Sequence, residues 1–148
     1  METDIKNYIA DGLFDLLKRK EIYNIKITEL VKITGISRTT FYNNFKNINE
    51  VLTYKFINIK TDLDKIIKLN RLRKNNSTNL LANILNYINK NKNIFIIIKN
   101  KYFIEFKNIL DNNETSYDYY IKSGIIINLC LLYIDNNFYL DLNKIKID

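Results

Sequence analysis

The chain has 148 residues, 47% hydrophobic and 26% charged, a balance that excludes wholesale disorder in a chain long enough to bury a core. It has no proline and 3 glycines, so helix breakers are scarce and we predict an all-helical protein. The formal net charge of +7 favours a polyanionic partner, and the absence of histidine removes the commonest general base and metal ligand.

Two amphipathic segments open the chain. Apolar residues recur at three- and four-residue spacing over residues 5–20, which predicts a first helix. The basic residues Lys18, Arg19 and Lys20 suit the C-terminal end of that helix. After a short connection, ITELVKIT at residues 27–34 predicts a brief second helix, because Ile27, Leu30 and Val31 would share one face.

A glycine and a serine separate the second helix from a third. Gly35 can adopt the left-handed conformation that ends a helix, and Ser37 is well placed to cap the next one. Phe41 and Phe45, four residues apart, would point into the same core. Helix, glycine-containing turn and capped helix together form the layout of a helix-turn-helix.

Polar residues on the third helix are the candidate functional residues. Arg38 and Thr40 occupy its first turn, where a recognition helix meets base edges. A stripe facing away from the core would consist of Thr39, Tyr42, Asn43 and Lys46. Any solvated helix face has a similar composition, so spacing alone leaves both interpretations open.

Further helices are predicted along the rest of the chain. A long fourth helix covers residues 49–73, and the polar segment RKNNSTN follows it. Helical patterns then cover residues 80–89, 93–110 and 116–137. The apolar stretch NIFIII could be taken for a strand, but it lacks turn signals and partner strands, so we predict helix there.

The stretch ITELVKITGISRTTFYNNFKNINEVL resembles the N-terminal helix-turn-helix of TetR-type transcriptional regulators. The shared features are an apolar helix, a Gly-Ile-Ser turn, a Thr-Phe-Tyr motif and a following Phe that leads into a long helix. The resemblance covers residues 5–52, and YYIKSGIIINLCLLYIDNN carries a weaker one in the C-terminal half. The family's backbone-contacting Lys is replaced by Ile48, and Lys46 or Lys26 is expected to substitute for it.

The resemblance implies roles for particular side chains. Arg38, Thr39 and Asn43 would reach base edges in the major groove, where Arg suits guanine and Asn suits adenine. The residues expected to contact sugar and phosphate are Thr28, Ser37, Thr40, Tyr42 and Lys46. Such contacts set the register on the duplex without specifying sequence.

The same resemblance implies a two-part organisation. Residues 1–52 would form the DNA-binding domain, and residues 53–148 a helical dimerisation and effector-binding domain. The implied protein is a homodimeric repressor that pairs through its C-terminal helices, with residues 116–137 as candidate interface, and binds palindromic double-stranded DNA. A small-molecule effector would release the DNA. Because the body is short for the family, we expect a small ligand cavity or none.

Catalysis is not indicated by any motif. The sequence has no glycine-rich phosphate loop, no G-x-S-x-G and no cluster of metal ligands, so we predict a non-enzyme without cofactor or metal. The pairs Asp62 with Asp64 and Asp111 with Glu114 are expected to be solvated, and Cys130 is expected to be buried and inert. We expect a cytoplasmic protein without membrane segments.

Two alternatives remain open at this point. The chain could be a helical protein–protein interaction module with a vestigial DNA-binding head, since residues 1–52 hold 8 basic and 7 acidic side chains and are nearly neutral. It could also be a small enzyme or ligand carrier built around a cavity in the helical body.

Overall fold

The computed structural model describes residues 2–73, 77–111, 124, 128, 131–136 and 139, and every regular element in these residues is helical, as predicted. The helices are α1 (Glu2–Leu17), α2 (Ile27–Thr34), α3 (Arg38–Asn44), α4 (Ile48–Leu72), α5 (Ser77–Lys90), α6 (Lys92–Lys101) and α7 (Phe103–Asp111), with a 3-10 turn at Ile22–Asn24. The chain divides into two compact units, Met1–Ile59 and Lys60–Asp148. The predicted functional division after residue 52 stays a prediction.

Apolar side chains from α1 to α4 form the core of the first unit. The largest side chains less than 2% exposed are Ile9, Leu13, Leu17, Leu30, Phe41, Val51 and Phe56. Each such burial contributes about 1.5–3 kcal/mol relative to an exposed side chain. The rings of Phe14 on α1 and Phe56 on α4 meet edge to face, with centroids 6.3 Å apart. The helix-turn-helix therefore packs on one side against α1 and the start of α4.

Polar contacts also join α1 to α4 within this unit. The side-chain oxygen of Asn7 accepts a hydrogen bond from Asn58 Nδ2 at 3.0 Å. One helical turn later on α1 and one turn earlier on α4, Lys55 forms an ion pair with Asp11 at 2.7 Å, and the Lys55 side chain is only 14% exposed. These contacts fix the register of α4 on α1.

The turn between α2 and α3 forms as predicted. Gly35 ends α2 with φ +67°, a left-handed conformation that is strained in residues with a Cβ atom. Ser37 precedes α3 and its hydroxyl accepts a hydrogen bond from the Thr40 backbone N–H at 2.9 Å. The prediction of a glycine stop followed by a serine cap is confirmed.

The predicted end of the first helix is wrong. The first helix ends at Leu17, before the three basic residues. Lys18 instead forms an ion pair with Asp15 and Lys20 with Glu29, each at 2.6 Å.

The helix predicted over residues 93–110 is two helices, because α6 ends at Lys101, Tyr102 lies between them, and α7 begins at Phe103. Tyr102 has φ −134° and ψ 23°, and its N–H still donates to the Ile98 carbonyl. Tyr102 and Phe106 are both buried. The helix break therefore coincides with tertiary packing, and no glycine or proline marks it in the sequence.

The second unit has its own aromatic core. Tyr87, Phe95 and Phe106 meet edge to face in sequence, with ring centroids 6.2 Å and 6.4 Å apart. An apolar cavity of about 30 Å³ lies beside Phe95 and Phe106, which is room for roughly one water molecule. NIFIII lies in α6, so the prediction of helix there is confirmed. Cys130, Glu114 and most of the predicted interface over residues 116–137 lie outside the described residues.

None of the described helices is both long and apolar enough to cross a lipid bilayer.

Candidate nucleic-acid interface

The core side of α3 is held by two phenylalanines. Phe41 is fully buried and Phe45 is 3% exposed. Their rings lie 6.2 Å apart, and the Phe45 ring packs edge to face on Tyr54 of α4 at 5.4 Å. Aromatic pairs of this kind contribute about 0.5–1.5 kcal/mol beyond the area they bury. The helix therefore has a fixed rotation about its axis, which decides which side chains face solvent.

The opposite side of α3 carries exposed polar groups. Thr39 and Asn43 are one turn apart, and an advance of about 100° per residue places both roughly opposite Phe41. Arg38 and Tyr42 are also one turn apart, on a flank of this face, and Tyr42 is 57% exposed. The side chains of Arg38, Thr39 and Asn43 have no hydrogen-bond or ion-pair partner among the described residues. Their donors and acceptors are available to an outside molecule.

Ser37 and Thr40 form a hydroxyl pair at the start of α3. Their side-chain oxygens are 2.8 Å apart, and the Ser37 oxygen also accepts from the Thr40 backbone N–H. Two hydroxyls carry two protons, and the bond between them uses one. The second proton can be donated to an acceptor such as a phosphate oxygen while the cap stays intact.

Lys46 does not lie on α3, so its prediction as part of the helical stripe is wrong. The helix ends at Asn44, and Phe45 is already extended, with φ −145°. The Lys46 backbone N–H donates to the Glu50 carboxylate at 2.5 Å, and Asn47 Oδ1 accepts from the Glu50 N–H at 2.9 Å. The α4 capping contacts therefore hold the Lys46 backbone. Its side chain remains exposed, without a carboxylate partner among the described residues.

Thr28 is exposed in the first turn of α2, so it belongs to a different helix from the other candidates. Lys26, one residue before α2, provides no side-chain cap to that helix. Its ammonium group has no partner in the described part of the chain. Both side chains could contact a ligand only if it also covered the start of α2.

Asn47 and Glu50 are residues of this region that the sequence interpretation missed. An Asn followed three residues later by Glu resembles a capping box, and that spacing was the available signal. Because the Glu50 carboxylate lies at the start of α4, it places a negative charge beside Lys46. Ile48, the first residue of α4, is half-buried and supplies no charge.

Charges in the first unit are partly neutralised by ion pairs. Lys18, Lys20 and Lys55 each pair with an acidic residue. Other basic residues, on α2 and α3 or next to them, have no carboxylate partner in the described residues. These are Lys26, Lys32, Arg38 and Lys46. The unpaired positive charge is therefore concentrated on the helix-turn-helix, although residues 1–52 as a whole are nearly neutral.

Comparison with known proteins identifies one informative relative. The chain is 30% identical over 123 residues to the HTH-type dhaKLM operon transcriptional activator DhaS of Lactococcus lactis subsp. lactis (strain IL1403). The alignment covers 76% of this chain and 64% of that protein, so the chain spans less than two thirds of the length of its relative. No protein-family model matches the chain, and no solved structure matches it.

Proposed function

We propose that the protein is a sequence-specific DNA-binding transcriptional regulator of TetR type, with α3 as its recognition helix. The observation that carries this proposal is the exposed, unpartnered set Arg38, Thr39 and Asn43 on a helix whose other face is anchored by Phe41 and Phe45. A helix that reads bases must be held in a fixed rotation about its axis, because base edges are recognised by hydrogen bonds of defined direction.

In this proposal the side chains divide into two groups. Arg38, Thr39 and Asn43 read base edges in the major groove. The hydroxyl and amine donors of Thr28, Ser37, Thr40, Tyr42 and Lys46 bind the sugar-phosphate backbone. The spare proton of the Ser37–Thr40 pair supports this assignment, since a phosphate oxygen could accept it without loss of the α3 cap.

A homodimer would bring two recognition helices to one site. One helix of seven residues reads only a few base pairs, so two-fold pairing on a palindrome would be needed for useful specificity. The resemblance favours repression released by a small effector, with dimer contacts from the C-terminal helices. The related Lactococcus protein is named an activator. A promoter reporter should therefore be analysed for both an increase and a decrease of transcription.

Selection from a randomised DNA pool tests the central proposal. The full chain, shown to be folded by circular dichroism, is expected to enrich a palindrome whose half-sites are centred about 34–36 Å apart. The affinity for the enriched site should fall as salt concentration rises. Weak binding with no enriched sequence would contradict the proposal.

Substitution of Arg38 tests the assignment of base contacts. Arg38→Ala is expected to cost about 1–3 kcal/mol of binding at one base position and to relax the preference there. Lys32→Ala is the matched control, because Lys32 is also an exposed, unpaired cation of the helix-turn-helix but lies on α2. The control should leave the base preference unchanged. If Arg38→Ala changes neither preference nor affinity, the role given to Arg38 is wrong.

The protein–protein interaction module is retained as the second candidate. It is favoured by the half-buried Ile48, where the resemblance expects a lysine that contacts DNA, and by the Glu50 carboxylate nearby. The DNA selection separates the two functions, because an interaction module with a vestigial head would enrich no sequence.

A further inference from the structure

A groove lies in the second unit between the C-terminal part of α4 and the C-terminal half of α5. Its volume is about 280 Å³, close to the lower end for small-molecule sites. The side chains that line it are Ile66, Leu69, Asn70, Arg73, Asn83, Asn86, Tyr87 and Lys90. The groove thus combines an apolar part, three side-chain amides and two cations, which is the mixture expected of a site for a small polar ligand.

No acidic residue is among the side chains that line this groove. Arg73, which directly follows α4, and Lys90, the last residue of α5, are both exposed and have no carboxylate partner among the described residues. Elsewhere in the same unit, Lys60 is paired with Asp64 at 3.2 Å and Lys107 with Asp111 at 2.9 Å. The groove therefore has a positive charge that the neighbouring protein does not neutralise.

An acidic group bonded to the groove residue Tyr87 also has another partner. The Asp62 carboxylate accepts a hydrogen bond from the Tyr87 hydroxyl at 3.1 Å and lies 3.4 Å from Lys65 Nζ. Burial raises the pKa of Tyr87 well above its usual range, and the Asp62 carboxylate adds to that shift. The phenol therefore stays protonated and continues to donate to Asp62. This contact holds the Tyr87 ring at the wall of the groove and directs the carboxylate towards Tyr87 and Lys65.

We propose that this groove binds a small anionic organic molecule whose carboxylate or phosphate oxygens contact Arg73 and Lys90. A guanidinium binds either anion through two parallel hydrogen bonds, and an ammonium adds a point charge. The amides of Asn83 and Asn86 can donate to and accept from hydroxyl or carbonyl groups of the same molecule. Ile66 and Leu69 can contact a short apolar part. The proposal assigns a ligand class to the effector of the proposed function, and binding can be measured without DNA.

Phenyl phosphate is a suitable probe, because it joins a phosphate to an apolar ring and fits the size of the groove. Benzyl alcohol, a neutral molecule of similar shape, is its control. Titration of the full chain by calorimetry should show saturable binding of phenyl phosphate at or below ~10 mM, and no binding of benzyl alcohol. The side-chain amide signals of Asn83 and Asn86 should shift during the titration in NMR spectra.

Charge-removing variants localise the site. Arg73→Gln and Lys90→Gln should each weaken phenyl phosphate binding by about 10-fold or more, the loss typical of one charge-assisted hydrogen bond. Lys68→Gln is the matched control, since Lys68 is an exposed, unpaired cation of α4 that does not line the groove. It should leave the affinity unchanged. Circular dichroism verifies that all three variants fold.

Three outcomes would overturn the proposal: no saturable binding of phenyl phosphate, equal binding of benzyl alcohol, or equal weakening by Lys68→Gln. Equal weakening by Lys68→Gln would mean that the general positive charge of the protein, rather than the groove, attracts phenyl phosphate. None of these outcomes touches the helix-turn-helix, so the DNA-binding proposal would stand. Conversely, a chain that enriches no DNA sequence could still bind phenyl phosphate in this groove.

Discussion

Gly12 offers a sharp test of how α1 supports the helix-turn-helix. A Cβ atom at this position would lie 2.4 Å from Thr34 Cγ2 and 3.4 Å from Leu30 Cδ1, both on α2. Carbon atoms in contact normally stay about 3.5–4.0 Å apart. Thr34 cannot easily turn away, because its side chain is buried and its hydroxyl donates to the Leu30 carbonyl at 2.7 Å. Gly12→Ala should therefore push α2 away from α1.

Two opposing effects determine how much Gly12→Ala changes the free energy of unfolding. Overpacking of a tight contact costs about 1–3 kcal/mol, and Ala in place of Gly within a helix gains about 1 kcal/mol. We expect Gly12→Ala to lower the free energy of unfolding by up to ~2 kcal/mol. Thr34→Ser removes the obstructing methyl group but keeps the hydroxyl. In that background, Gly12→Ala should be neutral or stabilising by up to ~1 kcal/mol.

Urea denaturation of the four proteins, followed by far-UV circular dichroism, measures this double-mutant cycle. The reasoning requires a coupling between the two substitutions, because they act on one contact. An equal loss of stability from Gly12→Ala in both backgrounds would refute it, since the cost would then arise away from the methyl group of Thr34.

Two substitutions in the turn should affect stability through local conformation. Gly35→Ala should cost about 1–2 kcal/mol in urea denaturation, because its φ of +67° is unfavourable for a residue with Cβ, whereas Gly35→Asn should cost less. Ser37→Ala should cost roughly 1 kcal/mol through loss of the α3 cap, and Ser37→Asn, which can still cap, should retain most of the stability. A loss as large for Asn as for Ala at either position would contradict the explanation given for it.

The sequence predicted the turn well because its chemistry is local. A glycine in the left-handed conformation and a serine cap act within a few residues, so their signals are visible in the sequence. The same holds for the two buried phenylalanines of α3, whose spacing announces a common face. The turn and the buried face of α3 were therefore predictable, but the residue at which α3 ends was not.

Features that depend on distant residues were not predictable. Asn7 and Asn58 are 51 positions apart, and neither residue type indicates that they bond to each other. The end of α3 was misplaced because helical periodicity continues through Phe45, whereas the Asn47 and Glu50 contacts start a new helix. The break at Tyr102 likewise lies within a continuous apolar pattern. Competition between neighbouring helices decided both helix ends, at α3 and at Tyr102. Helix propensity alone does not predict the outcome of that competition.

The charge of the candidate contacts predicts an unusual salt dependence. Of the five residues proposed to bind the DNA backbone, Thr28, Ser37, Thr40 and Tyr42 are neutral, and only Lys46 is a cation. Neutral donors release no counterions, so two Lys46 side chains in a dimer give a slope of log affinity against log salt of about −2, or about −4 if Lys26 joins them.

Lys46→Gln should then make the slope shallower by roughly 2 units in the dimer, with the base preference unchanged. Lys6→Gln, at an unpaired cation of α1, is the control and should leave the slope as it is. A slope steeper than about −6 in the unsubstituted protein would show that other cations carry the backbone contacts. A shallow slope would instead mean that the uncharged hydroxyls of α2 and α3 hold the helix in register, which would preserve sequence discrimination at salt concentrations that remove non-specific binding.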